Sequence, residues 1–119
     1  MNILEEICYH KKQEIVELKK EKKFNFNTEI NKNKKSISEI LRKNNKNHYN
    51  IITEIKRKSP SAGLIRKDFN LIKIAENYIK AGAVYLSVLT EKKYFGGDVK
   101  FIKKLKENTK IPILRKDFI

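Results

Sequence analysis

Residues 83–89 read A-V-Y-L-S-V-L, and this short run limits the fold more than any other stretch. It is almost continuously apolar, whereas a strand with one wet face alternates apolar and polar residues. Both of its faces need cover, which is the condition of a strand inside a parallel sheet with helices packed on it. The flanks agree. Asn70 offers an N-cap to a helix carrying Leu71, Ile74, Ala75, Tyr78 and Ile79, and Gly82 stands where a helix end takes a left-handed residue. Beyond the run, T-E-K-K-Y-F-G-G at 90–97 reads as a loop. Asp98 then starts a second helix with Val99, Ile102 and Leu105 inward.

Two more apolar runs bracket these elements, Ile51 to Lys56 before them and Ile113 to Ile119 after Thr109–Pro112. From residue 51 the order is therefore β-α-β-α-β, with connections of about 25 residues, long enough for parallel crossovers. Both outer runs are apolar first and charged last. In I-I-T-E-I-K, Glu54 and Lys56 lie two apart, so they share one face of the strand, roughly 7 Å from each other. Ser59-Pro60-Ser61-Ala62-Gly63 then breaks the strand and supplies two hydroxyls that can hydrogen-bond a ligand. In the last run Lys116 falls at the same loop-bearing edge.

Amines converging on one mouth suit a phosphate or carboxylate, and one of them can act as a general acid. For each residue alone, a solvated strand end or a structural ion pair is the commoner role. The pattern therefore marks a candidate site without naming its chemistry.

The N-terminal part differs in character. Asn2 and Glu5 form a capping-box variant that opens an amphipathic helix over about 3–22, with Leu4, Cys8, Ile15 and Leu18 near one face, Ile3 and Ile7 beside them, and Lys11 interrupting the stripe. Residues 24–35 lack any period and read as a linker. Ser36 and Glu39 make a second capping box ahead of a short helix to about Arg42, and 44–50 is a polar loop. The expected division is a helical extension and linker over 1–49 and a strand–helix domain over 50–119.

Lys and Arg number 28 against 14 Asp and Glu, a net charge of +14. Such an excess points to an anionic partner. The lysines are dispersed beside Asn and Ile in every segment, and no recognised nucleic-acid motif accompanies them, which argues against a nucleic-acid interface. Cys8 is the single cysteine, so an intrachain disulfide is excluded and a small buried hydrophobe is the default. His10 and His48 stand apart without metal spacing and read as surface residues. The N-terminus lacks a basic-then-apolar signal region and no apolar run reaches spanning length, so the expected location is cytoplasmic.

The motifs taken in order resemble the indole-3-glycerol phosphate synthase family. They are E-I-K-R-K-S-P-S-A-G at 54–63, I-R-K-D-F at 65–69, G-A-V-Y-L-S-V-L-T at 82–90, Y-F-G-G at 94–97 and P-I-L-R-K-D-F at 112–118. The pattern I-L-E-E-I-C-Y-H-K-K at 3–12 is similar to the extra helical segment that precedes the barrel in that family. The resemblance implies a (β/α)8 barrel that converts carboxyphenylamino-deoxyribulose phosphate to indole-3-glycerol phosphate in tryptophan biosynthesis, with loss of carbon dioxide and water and with no metal or organic cofactor.

Residue by residue, the same resemblance implies that Lys116 is the general acid of ring closure. It implies that Lys56 holds the anionic substrate and serves as an acid in dehydration, and that Glu54 contacts substrate and acts as a base. Ser59 would lie near the ligand, and Phe95 and Phe118 would pack about its anthranilate ring. The loop 57–63 would be a mobile segment over the site.

A barrel of this kind needs roughly 200 to 250 residues. The expectation is therefore the N-terminal portion of the barrel, about three βα units, with little or no activity alone, completed by a complementary fragment or by self-association. A non-catalytic lysine-rich module for anionic polymers is the rival reading. A related phosphate-binding barrel with another substrate is a third, and the E-I-K-x-x-S-P-S and L-R-K-D-F runs argue against it.

Overall fold

The computed structural model describes residues 1–21, 35–43 and 49–119. All but the last residue of the linker read at 24–35, most of the polar loop at 44–50, and His48 lie outside them. Two compact units emerge, one of residues 1–35 with Phe118 and one of residues 36–117 with Ile119.

In the first unit, helix α1 spans Ile3–Lys20. Its capping box is complete: the Glu5 amide donates to Asn2 Oδ1 at 2.9 Å, and the Asn2 amide donates to Glu5 Oε2 at 2.8 Å. The buried stripe is not centred where the sequence suggested. Ile7 is the buried residue, whereas Leu4 is 56% exposed. Ile7, Lys11, Ile15 and Leu18 follow one another at helical spacing and are buried or half-buried. Lys11 holds its place by pairing with Glu14 at 2.6 Å.

The second unit opens with α2 (Ile37–Lys43), and its capping box is formed as well, through Ser36 and Glu39. Strands β1 (Ile51–Ile55), β4 (Ala83–Leu89) and β5 (Ile113–Lys116) make a three-stranded parallel sheet in the order β1-β4-β5. Helix α3 (Leu71–Lys80) connects the first pair and α4 (Lys100–Asn108) the second. These are the opening βα units of a barrel, as the sequence implied. A two-stranded hairpin, β2 (Lys58–Ser59) with β3 (Gly63–Leu64), is inserted after β1.

The sheet has two unlike faces. Ile55, Leu86 and Val88 meet Leu71, Ile74, Ala75 and Leu105 from the helices in the main core, with Ile113 packed against it. The opposite face carries Ile52, Glu54, Tyr85, Ser87, Leu89, Leu114 and Lys116, since partners in a ladder share a face. One irregularity matters for this division. Ile51 pairs with Ala83 but Ile52 pairs with Tyr85, which leaves Val84 as an extra residue in β4.

Three details depart from the sequence reading. Ile79 is 37% exposed, because α3 turns Ile72 to the core in its place, beside Tyr78 as expected. Helix α4 begins at Lys100, leaving Asp98 ahead of it with Oδ1 accepting the Lys100 amide at 2.8 Å and Val99 exposed. The third strand stops at Lys116, where pairing with β4 runs out. Among the described residues no helix is long and apolar enough to cross a membrane.

Candidate functional site: an ionic cluster across three strands

Strand order decides which charges can meet. β1 and β5 flank β4, so their axes are separated by two interstrand spacings, roughly 10 Å. Glu54 lies beside Ser87, and Lys116 lies beside Leu89, one step further along the same face. Ser87 is small, and over it the two long side chains reach each other. Lys116 Nζ donates to Glu54 Oε2 at 2.8 Å. Lys56, just past the end of β1, places its Nζ 3.5 Å from Glu54 Oε1. The three charges thus converge, each carboxylate oxygen facing one amine, as alternation along β1 and the position of Lys116 suggested.

The electrostatics follow from this arrangement. Burial alone pushes the Glu54 carboxyl up, but the hydrogen bond and charge of Lys116, then the charge and hydrogen bond of Lys56, outweigh it. The carboxyl is held below its ordinary value. The Lys116 side chain remains half exposed, so the pair is open to a ligand rather than sealed.

The backbone under these residues is tied down. The Tyr78 hydroxyl donates to the Glu54 carbonyl at 3.1 Å, fixing α3 to β1 at the carboxylate-bearing residue. The Thr90 amide donates to the Lys116 carbonyl at 2.9 Å, extending the β4–β5 ladder by one bond.

Ser59 lies in the hairpin, where its Oγ accepts the Ala62 amide at 3.1 Å and stands 3.4 Å from Ser61 Oγ. Its hydroxyl thus shapes the turn. The hairpin meets the 90–97 loop where the Lys58 amide donates to the Phe95 carbonyl at 3.3 Å. Phe95 is half-buried in that loop. Phe118 is half-buried and groups with the first unit.

Sequence reasoning missed Glu91, which is only 4% exposed. Its Oε1 accepts the Lys93 amide at 2.9 Å, and its Oε2 accepts those of Tyr94 at 2.7 Å and Phe95 at 2.9 Å. One carboxylate thereby organises the loop that bears Phe95. The available signal was its position, a charge directly continuing a buried strand and followed by amides that no helix or ladder would satisfy.

An open groove of about 510 Å³ beside α4, lined by Asp98, Lys100, Phe101, Lys103, Lys104 and Glu107, contains none of the expected site residues. Its mixed charges are solvated, and it lacks convergent buried groups. The ionic cluster is the stronger candidate.

Residues 4–119 match the family model described as indole-3-glycerol phosphate synthase. A protein of that name from Caldanaerobacter subterraneus subsp. tengcongensis is 46% identical over 117 residues, covering 98% of this chain and 45% of the relative. Its namesake from Clostridium acetobutylicum is 44% identical over 122 residues, again covering 98% of this chain and 45% of the relative. A third, from Campylobacter hominis, is 54% identical over 71 residues, covering 60% of this chain and 27% of the relative. The chain thus spans just under half the length of the relatives that match it end to end. With residues 4–119 of its 119 matched by the family model, the chain belongs to the indole-3-glycerol phosphate synthase family.

Proposed function

We propose that this chain carries the ring-closing part of an indole-3-glycerol phosphate synthase centre. The reaction is the conversion of 1-(2-carboxyphenylamino)-1-deoxyribulose 5-phosphate to indole-3-glycerol phosphate, with release of carbon dioxide and water, in the cytoplasm. The observation that carries the reading is the Lys116–Glu54–Lys56 cluster, reached from two strands on one sheet face. As negative charge develops on the substrate carbonyl oxygen, the Lys116 ammonium supplies a proton and a positive field. Lys56 holds the anionic substrate and then donates a proton to the departing hydroxyl. Glu54 keeps both amines placed and takes up the proton lost from the ring carbon. Ser59, Phe95 and Phe118 serve the ligand side, the aromatic rings against the anthranilate.

The domain reading goes with this function: residues 1–49 are an extension, and 50–119 supply the first three barrel strands with the two helices between them. A complementary chain or self-association pairs the edges of β1 and β5, which the sheet leaves open among the described residues.

The test has two arms. A reduced, non-cyclising analogue of the substrate should bind the chain, and Lys56→Ala or Lys116→Ala should abolish that binding. Mixing with the remaining barrel units of a relative should then yield indole-3-glycerol phosphate. Binding unchanged in both alanine variants, or retention on nucleic acid that weakens with salt in place of analogue binding, would refute the proposal.

A further inference from the structure

Among the described residues, Lys116 closes a strand whose outer edge is unpaired, a place where a strand ordinarily frays. Its carbonyl accepts the Thr90 amide, but the β4 ladder holds it from one side only, slight restraint for a residue whose amine meets a partner two strands away. The neighbours on either side of it supply more. Arg115 and Asp117 alternate with Lys116 and so project to the other side of the strand. There Arg115 Nε donates to Thr90 Oγ1 at 3.1 Å, and Thr90 Oγ1 donates to Asp117 Oδ2 at 2.7 Å. Arg115 closes the triangle at 3.3 Å from the same Asp117 oxygen. The Asp117 side chain is only 3% exposed and Thr90 is buried, whereas the Arg115 side chain is half exposed, so the Thr90–Asp117 bond is the part of the knot held away from water.

We infer that Thr90 is a positioning residue for Lys116: its hydroxyl knots Arg115 to Asp117 and fixes the point at which the Lys116 side chain leaves the sheet toward Glu54. The hydroxyl suits this task because it receives one bond while giving another, which neither valine nor alanine can do. The inference deepens the proposed function and rests on it for the chemical use of Lys116. The geometric claim is testable without any reaction.

The Glu54 carboxyl reports whether Lys116 is in place, with Lys56 as its other charged neighbour. Its titration, followed by carboxyl-carbon nuclear magnetic resonance in the 119-residue chain, should shift upward in Thr90→Val by a large fraction of the shift produced by Lys116→Met. Thr90→Ser should restore the original midpoint. A Glu54 midpoint unchanged in a folded Thr90→Val chain would overturn the inference, as would failure of serine to restore it. If Thr90→Val does not fold, Asp117→Asn, which keeps shape while weakening the knot, should give the same upward shift, and an unchanged midpoint there overturns the inference equally. Since the titration needs no substrate, failure of the unsubstituted chain to bind analogue counts against the proposed reaction alone.

Discussion

Lys116 Nζ and Glu54 Oε2 are 2.8 Å apart, although 62 positions of sequence separate the residues. Only the fold can make that contact, so it reports on the assembled sheet. The lowered Glu54 carboxyl links it to pH. A group whose folded value lies below its unfolded one stabilises the fold above the unfolded value, and that contribution is lost as pH falls through the folded value. The stability difference between the parent chain and Glu54→Gln should therefore be full at neutral pH and shrink in acid, below the ordinary carboxylate range. Thermal melts across pH measure it; a difference that grows on acidification would contradict the assigned pairing.

Gly97 is fixed by space. A β-carbon there would stand 2.2 Å from the Leu89 carbonyl oxygen and 2.9 Å from the Thr90 carbonyl carbon, both backbone atoms that cannot swing aside. Gly97→Ala should cost about 1–3 kcal/mol, in the range of other overpacked sites. Gly96→Ala should be destabilising for another reason, its φ of +63°, at about 1–2 kcal/mol. Urea midpoints distinguish both variants from the parent.

Glu91 serves three amides with two oxygens. Glutamine offers only one acceptor oxygen, so Glu91→Gln leaves either the Lys93 amide or those of Tyr94 and Phe95 without a bond. A loss of about 1–3 kcal/mol is expected, as for other buried groups deprived of a partner. Hydrogen exchange should quicken locally at 93–95 while the β4 amides stay protected.

Leu105 is fully buried where α4 joins the core, and Ile79 on α3 is 37% exposed. Leu105→Ala should cost about 2–5 kcal/mol, enough to unfold a small sheet of this kind. Ile79→Ala should cost far less, since only part of its surface leaves water on folding. Chemical denaturation of the pair tests where the core lies.

Sequence alone carried the parallel sheet and the placing of Glu54, Lys56 and Lys116 at one edge of it, because those rest on short-range rules. An apolar run needs two covered faces, and alternation along a strand puts residues two apart on one side. The helix starts at Asn2, Ser36 and Asn70 were legible for the same reason, each being a side chain serving amides three residues on.

The failures have a different origin. Leu4, Ile79 and Val99 are apolar and fit a helical stripe, but which third of a helix is covered depends on what packs there. Thr90, Glu91 and Asp117 were read as loop or strand-end residues because their partners are backbone amides and side chains brought near only by the finished sheet. Asp98 does bind an amide, yet two residues on, in a turn that precedes the helix rather than opening it.

The extra residue at Val84 has a larger effect than its size suggests. Had pairing continued evenly from Ile51 and Ala83, Glu54 would stand beside Leu86, whose side chain is buried against the helices. A carboxylate there would point into hydrocarbon, with the Lys116 amine on the wrong side of the sheet to neutralise it. A half-step of parity, introduced three residues upstream of Glu54, decides that acid and amine share a hemisphere of the molecule.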